Sequence, residues 1–445
     1  MAGGTDARSR RPAGWHGLGR DLLRRSRVVA RSFLWPVDER VAEPRPSVLP
    51  EAPPVTVVGS IRGSTGMGEV TRAAIAALRE RGHPTSFVDL ESLPTLEPAE
   101  VPVEAPLPSG HRANLVFMNA VNVRDTYRRL GRAFFAGRIN VGCWSWEMTT
   151  FPAQWHGAFA PFDEVWVGSR HTQSVLAAVS PVPVLRIPNL VRPAAPSART
   201  RADFGFPDDR FVFLFCFDAC SVVERKNPAA IVRAFRRAFG SSAPGTGPLL
   251  VLKMNNGDLA ARRPALFGLD PGSIPALAQS LEEVGGILLD ERFDRATTSA
   301  LMYACDAYVS LHRCEGFGLT MAEAMSMGKP CIATGWSGNL DFMTAANSYL
   351  VGFRLVALER DYGPYRAGEQ WAEPDEEDAA RWMRHVHENR EEAHRRGRVA
   401  ASDLAREHGA SAAAGAILDR LRLLEERRRR GGRLASAWRA GFAGS

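Results

Sequence analysis

Two adjacent cations, Arg225 and Lys226, stand directly before a predicted helix, and this arrangement suggests that the chain binds an anion. Asn227 is a good N-cap and Pro228 a good first helical residue, so we expect the helix to begin there. Because the start of a helix already carries roughly half a positive charge, two cations there would cost about 0.3–1 kcal/mol. A bound anion would turn this cost into a gain, and a diphosphate suits Arg, Lys and free N–H groups. A solvated pair of side chains is the alternative.

Lysine is rare in this chain, which makes Lys226 conspicuous. Of the 56 basic residues only three are lysines, and the formal net charge is +7. Lys253 closes a predicted strand at its carboxyl end, where α/β proteins bind ligands. Lys329 lies in a Gly-Lys-Pro turn, for which we predict a surface role.

Two glutamates, Glu315 and Glu323, flank a glycine-rich loop. A predicted strand ends at Leu311 and a predicted helix begins near Leu319, so Glu315 lies in the loop and Glu323 in the first helical turn. Both carboxylates can accept hydrogen bonds from hydroxyl groups of a ligand. Structural alternatives remain open, because Thr320 and Glu323 fit a capping box and a carboxylate at position 315 favours a helix N-terminus by itself.

A third candidate is the glycine loop Gly63-Ser-Thr-Gly66-Met-Gly68, between a predicted strand and a predicted helix. Glycines let the backbone approach a ligand closely, and the following helix offers N–H groups to an anion. The spacing matches neither the dinucleotide fingerprint nor a P-loop. A tight turn without a ligand is the alternative.

These candidates require elements that bring them together, and the sequence predicts two series of strands alternating with helices. Such alternation predicts parallel sheets with crossover helices, and hence an α/β protein with two Rossmann-like, doubly wound domains facing across a cleft. The predicted strands of the first series are Val55–Ile61, Leu115–Val121, Ile139–Trp146, Glu164–Gly168 and Val182–Pro188. Those of the second series are Phe211–Phe217, Leu249–Met254, Gly286–Leu289, Ala307–Leu311, Cys331–Thr334 and Ser348–Val351.

Composition and spacing exclude several classes of protein. The chain is 45% apolar and 24% charged, as is usual for globular proteins, and its 445 residues suggest two or three domains. There is no apolar run long enough for a membrane-spanning helix, and the Arg-rich start lacks the apolar core of a secretory signal. The six cysteines form no CxxC pair, which favours a reducing cytosol over a disulfide framework or a zinc site. The net charge lies mainly on the two ends, without a nucleic-acid-binding motif.

One further pattern points to a known family. Glu315-x7-Glu323 with Gly-Phe-Gly between, followed by Gly-Lys-Pro and by Ser337-Gly-Asn-Leu-Asp341, resembles the family 4 retaining glycosyltransferases of the GT-B fold (glycosyl transferases group 1). Arg225-Lys226-Asn227-Pro228 occupies the matching place upstream. Residues 144–169 are similar to the N-terminal domain of a bacterial subset of that family. The resemblance covers roughly residues 55–410.

The resemblance implies a role for each matching residue. Glu323 would hydrogen-bond the ribose of a nucleotide-sugar, and Glu315 would lie against the donor sugar. Arg225 and Lys226 would neutralise the departing diphosphate. Its phosphates would also meet backbone groups of the loop residues Gly316, Phe317, Gly318 and Leu319, and of Gly66 and Gly68 from the other domain.

The chain departs from the family pattern in one respect, because no His follows the strand Leu115–Val121. Asn119 or Glu147 could fill that role, and His312 and Asn339 are further candidates for contact with the sugar or the acceptor. No metal and no cofactor are implied beyond a UDP- or GDP-linked donor.

The resemblance also assigns functions to the segments of the chain. The predicted segments are a flexible basic extension (1–50), an acceptor domain (51–195), a nucleotide-sugar domain (196–375), C-terminal helices that pack back on the core (376–423) and a basic tail (424–445). The basic ends are interpreted either as solvated tails or as segments that lie on an anionic membrane.

The predicted function is that of a cytoplasmic, metal-independent hexosyltransferase, at the inner face of the plasma membrane if its basic ends bind lipid. It would move a sugar with retention to a glycan or lipid-linked acceptor in cell-surface or cell-wall polysaccharide synthesis. A GT-B epimerase or phosphorylase, or a non-catalytic nucleotide-sugar binding protein, are the alternatives. Nucleic acid is not expected as a partner.

Overall fold

The fold was obtained as a computed structural model that describes residues 50–63, 65–90, 110–240, 247–270 and 272–430. The predicted N-terminal extension and most of the predicted basic tail lie outside the described residues.

The first half of the fold, called here the N-terminal half, is built on a parallel sheet of six strands in the order β2-β1-β3-β4-β5-β6. Its strands are β1 (Val55–Gly59), β2 (Thr85–Asp89), β3 (Ala113–Phe117), β4 (Ile139–Trp144), β5 (Glu164–Val167) and β6 (Val184–Arg186). Its helices are α1 (Gly66–Glu80), α2 (Val123–Leu130), α3 (Arg132–Phe135) and α4 (Arg170–Ala177). Every residue of β1, β3, β4 and β5 is buried, as expected for a parallel sheet covered on both faces.

The second half, the C-terminal half, repeats the plan with six parallel strands in the order β12-β11-β10-β7-β8-β9. Its strands are β7 (Val212–Asp218), β8 (Leu249–Asn255), β9 (Ile287–Leu289), β10 (Ala307–Ser310), β11 (Cys331–Thr334) and β12 (Tyr349–Val351). Its helices are α5 (Val223–Lys226), α6 (Pro228–Phe239), α7 (Gly257–Arg262), α8 (Pro264–Phe267), α9 (Ser273–Glu282), α10 (Arg295–Ala304) and α11 (Leu319–Ser326).

Three strands were not expected from the sequence. β2 is an edge strand in which only Ser86 and Phe87 are buried, so it lacks the apolar run of the others. The other two form an antiparallel hairpin, β13 (Phe353–Ala357) with β14 (Gln370–Pro374). Every side chain of β13 is at least partly exposed, so its sequence does not read as a core strand.

Three helices follow in the last part of the chain that the structure describes: α12 (Glu376–Glu388), α13 (Arg390–His408) and α14 (Ala410–Arg429). The last of them packs against α1 of the N-terminal half. Arg420 of α14 pairs with the buried Glu164, with Nε 2.9 Å from Oε2. The helix continues beyond the boundary predicted at residue 423, because Leu424 and Glu425 are buried against the N-terminal half. Among the described residues, no helix has the length and apolar character required to cross a bilayer.

Candidate active site

A cleft of about 1240 Å³ lies where the carboxyl ends of strands from both sheets meet. Most of the residues singled out from the sequence line it: Gly66, Asn119 and Glu147 from the N-terminal half, and Arg225, Lys226, Glu315, Gly316, Phe317, Gly318, Leu319 and Glu323 from the C-terminal half. Gly68, His312 and Asn339 do not line it. This is the position at which parallel α/β sheets bind ligands.

The two cations and the first glutamate form one cluster, although 89 positions separate Lys226 from Glu315. Lys226 Nζ lies 2.5 Å from Glu315 Oε1, and Arg225 Nη1 lies 3.2 Å from Glu315 Oε2. Arg225 Nη1 also donates to the carbonyl of Cys314 at 2.9 Å, and Arg225 Nε to the carbonyl of Ser221 at 3.2 Å. We call Arg225, Lys226 and Glu315 the ion cluster.

Electrostatics keeps Glu315 ionised. Burial by itself would raise the pKa of Glu315, but Lys226 and Arg225 outweigh it and lower the pKa to about 2. At neutral pH the ion cluster therefore holds two positive charges and one negative charge, a net +1. An anionic ligand in the cleft would therefore be attracted by a net positive charge.

The local backbone differs from the expectation at Asn227. Pro228 is the first residue of α6 as predicted, but Asn227 adopts φ 55° and makes no capping bond with its side chain. Its Nδ2 instead donates to the carbonyl of Leu311 at 3.0 Å. The cations form the last turn of the short helix α5, and Glu315 compensates them. The electrostatic cost inferred from the sequence is therefore offset by an anion of the protein itself.

Glu323 is held by an arginine rather than by a capping box. The N-cap of α11 is Gly318 at φ 92°, with no side-chain capping bond, so Thr320 lies inside the helix and the predicted box is not formed. Arg295 Nη2 lies 3.3 Å from Glu323 Oε1, and Arg295 also pairs with Glu69 of α1. Burial raises the pKa of Glu323 to about 7, against the opposing effect of Arg295.

The glycine loop joins α1 by close packing. Gly66 is exposed at the start of α1, where Thr65 caps the helix by accepting from the Gly68 N–H at 3.2 Å. A Cβ on Gly68 would lie 2.4 Å from the Gly63 carbonyl oxygen, so this position excludes a side chain. Gly66 therefore faces the cleft, whereas Gly68 shapes the turn.

Asn119 and Glu147, the two candidates for the role of the missing His, differ in their surroundings. Asn119 is exposed at the cleft. Glu147 is half-buried, and the hydroxyl of Tyr365 donates to its Oε2 at 3.1 Å. Tyr365, in the loop between β13 and β14, thus holds the side chain of Glu147 in position.

His312 and Asn339 are fully buried behind the loop that carries Glu315. His312 Nε2 lies 3.1 Å from Asn339 Oδ1, and His312 Nδ1 lies 3.0 Å from Ser310 Oγ. Asn339 Nδ2 donates to the carbonyl of Thr334 at 3.0 Å. The structure therefore places both side chains as internal supports and not on the cleft surface, because their polar atoms are already engaged.

The two remaining lysines hold backbone groups. Lys253 is buried and donates to the carbonyls of Met254 and Glu291, at 2.7 and 2.6 Å, beside the cleft. Lys329 donates to the carbonyls of Tyr303 and Cys305, both at 2.8 Å, at the end of α10. A cation is favourable at a helix C-terminus, so Lys329 has a structural role beyond the surface role predicted.

Two residues of this region were not identified from the sequence, Arg295 and Tyr365. Arg295 follows Asp294, the N-cap of α10. A cation at the start of a helix is the signal that singled out Arg225, and the same signal could have identified Arg295. Tyr365 lies between β13 and β14, in a segment with no recognisable pattern. Across the described part of the chain, no group of three or more His, Cys, Asp or Glu side chains is placed to hold a metal ion.

Comparison with known sequences agrees with the resemblance noted above. Residues 268–357 match the family model described as glycosyl transferases group 1. That segment contains Glu315 and Glu323 but neither of the two cations. No curated protein matches the chain in sequence. The resemblance to group 1 is confirmed for this segment, and the finer assignment to family 4 stays a prediction.

Solved structures of glycosyltransferases share the fold. Sucrose-phosphate synthase from Thermosynechococcus elongatus is similar with a TM-score of 0.60 at 15% identity, over 84% of this chain and 99% of that one. HepE from Anabaena, in complex with UDP and glucose, gives 0.57 at 15% identity, over 83% and 99% of the two chains. A glycosyltransferase from Rickettsia africae gives 0.57 at 11% identity, over 84% and 99%. The predicted GT-B architecture is therefore confirmed.

Proposed function

We propose that this protein is a retaining, metal-independent glycosyltransferase of family 4 that moves a hexose from a nucleotide-sugar to a glycan or lipid-linked acceptor. The observation that carries the proposal is the ion cluster at the floor of a cleft between two Rossmann-like halves. The match of residues 268–357 to glycosyl transferases group 1 supports it.

The chemistry that the cleft supports is the departure of a diphosphate. In the reaction the bond between the anomeric carbon and the phosphate oxygen breaks, and the acceptor oxygen forms a new bond to that carbon on the same face. The acceptor proton goes to a phosphate oxygen of the leaving group. Negative charge therefore grows on the diphosphate, and in this proposal Arg225 and Lys226, which Glu315 holds side by side, stabilise that charge.

The remaining cleft residues have complementary roles in this proposal. Glu323 accepts from the ribose hydroxyls, which requires exchange of its contact with Arg295. Glu315 accepts from a hydroxyl of the donor sugar while it keeps the two cations in position. Glu147, on the opposite wall, faces the sugar or the acceptor and is held there by Tyr365.

The donor is best tested first as UDP-glucose, because HepE was solved in complex with UDP-glucose. Thermal shift with UDP- and GDP-sugars identifies the donor, since a ligand at 100 times its Kd adds about 2.7 kcal/mol of stability. Donor and acceptor are then incubated with the enzyme, and the products are read by mass spectrometry. Glycosylated acceptor and free nucleoside diphosphate are expected. An isomerised sugar with intact nucleotide would indicate an epimerase, and unchanged donor a binding protein, and either result would refute the proposal.

The proposed location is the cytoplasmic face of the plasma membrane, reached through the basic ends of the chain, and the proposed process is polysaccharide synthesis. The N-terminal extension and most of the basic tail lie outside the described residues, so composition is the support for this part. A chain lacking residues 1–50 should sediment less with vesicles containing anionic lipid than the full chain does. Equal sedimentation of the two would contradict membrane attachment through this end.

A further inference from the structure

The loop that carries Glu315 is contacted directly by the N-terminal half. Ser169 Oγ donates to the carbonyl of Gly316 at 2.5 Å, across 147 positions of sequence. Ser169 is fully buried, and it is also the N-cap of α4, where its Oγ accepts from the Thr172 N–H at 3.2 Å. The Ser169 hydroxyl thus caps α4 of the N-terminal half and also holds the loop of the C-terminal half that carries Glu315.

The contact is enclosed on both sides, so little room remains for the loop to move. A Cβ on Gly316 would lie 2.1 Å from Ser145 Oγ of the N-terminal half. On the other side, a Cβ on Gly338 would lie 2.2 Å from the Gly316 carbonyl oxygen. The backbone of Gly316 therefore packs against the backbone of Gly338 in its own half and against the Ser145 side chain of the N-terminal half, and only the second contact depends on the separation of the two halves.

Thr172 adds a weaker contact at the same place. Its hydroxyl has one hydrogen, which points to the Trp146 carbonyl at 2.7 Å, while the Gly316 carbonyl lies farther away at 3.3 Å. Ser169 is consequently the principal donor to Gly316.

A second anchor lies at the start of the same helix. The Arg170 N–H donates to Asp341 Oδ2 at 2.6 Å, and Arg186 Nε lies 2.7 Å from Asp341 Oδ1. Asp341 belongs to the C-terminal half and Arg186 to β6 of the N-terminal half. The start of α4 is therefore bound to the opposite half at two separate points, and Gly316 is the one adjacent to the ion cluster.

We propose that Ser169 is a positioning residue that couples the separation of the two halves to the Gly316–Phe317 peptide of the loop that carries Glu315. The hydrogen bond fixes the peptide between Gly316 and Phe317, and the backbone of Glu315 is held next to it. If the halves separate, this bond breaks and the Gly316–Phe317 peptide, which lines the cleft, loses its support from the N-terminal half, whereas Ser337 Oγ and the Gly338 N–H still hold the backbone of Glu315. The donor site is thus complete only when the N-terminal half is in place. This inference rests on the proposed function for its kinetic part, but not for its structural part.

The test uses three variants of the full chain. Ser169→Gly removes the hydroxyl but keeps a residue that is tolerated as an N-cap, so the helix itself loses only a few tenths of a kcal/mol. Ser169→Thr keeps the hydroxyl and should restore the wild-type behaviour. Ser174→Ala is the matched control, because Ser174 is an exposed serine of the same helix whose Oγ donates only to the His171 carbonyl, at 2.8 Å.

The first measurement is amide hydrogen exchange of a peptide that covers residues 312–322. We expect exchange in Ser169→Gly to be about tenfold faster or more, and unchanged in Ser169→Thr and Ser174→Ala. This readout needs no substrate and therefore tests the coupling even if the proposed function fails. Equal protection in Ser169→Gly and wild type, or equal loss in Ser174→Ala, would overturn the inference.

The second measurement separates positioning from general loss of structure. With an active donor and acceptor pair, Ser169→Gly should lower kcat by about tenfold or more and leave the KM for the acceptor unchanged. A kcat equal to wild type would overturn the inference while leaving the proposed function intact. A wild-type enzyme that binds and turns over no nucleotide-sugar would instead refute the proposed function.

Discussion

Replacing Lys226 with Met removes one positive charge from the ion cluster without leaving a large cavity. The net charge of the cluster falls from +1 to zero, because Arg225 and Glu315 then compensate each other at 3.2 Å. A departing diphosphate would meet a neutral pair instead of a cation. Loss of one preorganised charge partner lowers kcat by about 100-fold or more, which corresponds to roughly 3 kcal/mol in the transition state.

The same substitution should cost some stability, and the pKa of Glu315 sets the scale. That pKa lies at about 2 instead of 4.5, a difference equivalent to about 3 kcal/mol of net stabilisation of the ionised carboxylate. Since the folded-state pKa is depressed, this stabilisation is present at neutral pH and is lost as the pH falls from about 4.5 to about 2. Arg225 remains in Lys226→Met, so the loss at pH 7 should be a part of that amount, about 1–2 kcal/mol.

The assay measures release of nucleoside diphosphate under saturating donor and acceptor, together with urea unfolding. Lys329→Met serves as the control, because the Lys329 ammonium binds two carbonyls of the protein but lies away from the cleft. We expect Lys329→Met to lose stability with its kcat unchanged, and Lys226→Arg to retain most of the activity. A wild-type kcat in Lys226→Met would show that the ion cluster does not stabilise the leaving group.

Three further predictions follow from the charges of the site and the core. Glu315→Gln raises the net charge of the ion cluster to +2, so calorimetry should show UDP binding about fivefold to tenfold tighter while transfer is slower; weaker UDP binding would contradict this. Because the pKa of Glu323 is about 7, UDP affinity should rise between pH 6 and pH 8 as the carboxylate forms, and Glu323→Gln should flatten this dependence. Burial lowers the pKa of His312, so below about pH 6.5 the unfolded chain binds a proton that the folded one does not, and the free energy of unfolding should fall there. His312→Asn, compared with wild type by urea unfolding at pH 7.5 and pH 5.5, should reduce that fall, and equal falls in both proteins would count against His312 as its source.

Most of the fold could be predicted from local pattern. The strands β3, β4, β7 and β8 are mostly apolar segments, and such segments indicate strands buried on both faces. The hairpin of β13 and β14 could not be predicted in this way, because distant segments of both halves pack against it, among them Arg313, which pairs with Glu373 of β14. The ring of Tyr365 lies 5.7 Å from that of Trp146, and the Thr150 hydroxyl donates to Glu369 at 2.9 Å.

The candidate site could likewise be predicted only in part. Residue type and spacing were enough to single out Arg225, Lys226, Glu315 and Glu323, since each lies beside a strand end or a helix start that the pattern itself marks. The sequence could not show what each of these groups contacts. Partners such as Arg295 lie on other strand-to-helix connections, and their distance depends on how the sheets are ordered.

The sequence by itself therefore determined that the chain is an α/β protein with paired halves, and that cations and carboxylates follow particular strands. Periodicity and turn chemistry are local properties, so one sequence is sufficient to reveal them. Only the tertiary structure decided that Glu315 pairs with both cations, that His312 is a buried support, and that Ser169 reaches the donor-site loop. Those contacts join segments 27 to 147 positions apart, and only the order of the strands within the C-terminal half, or for Ser169 the packing of the two halves, brings such segments together.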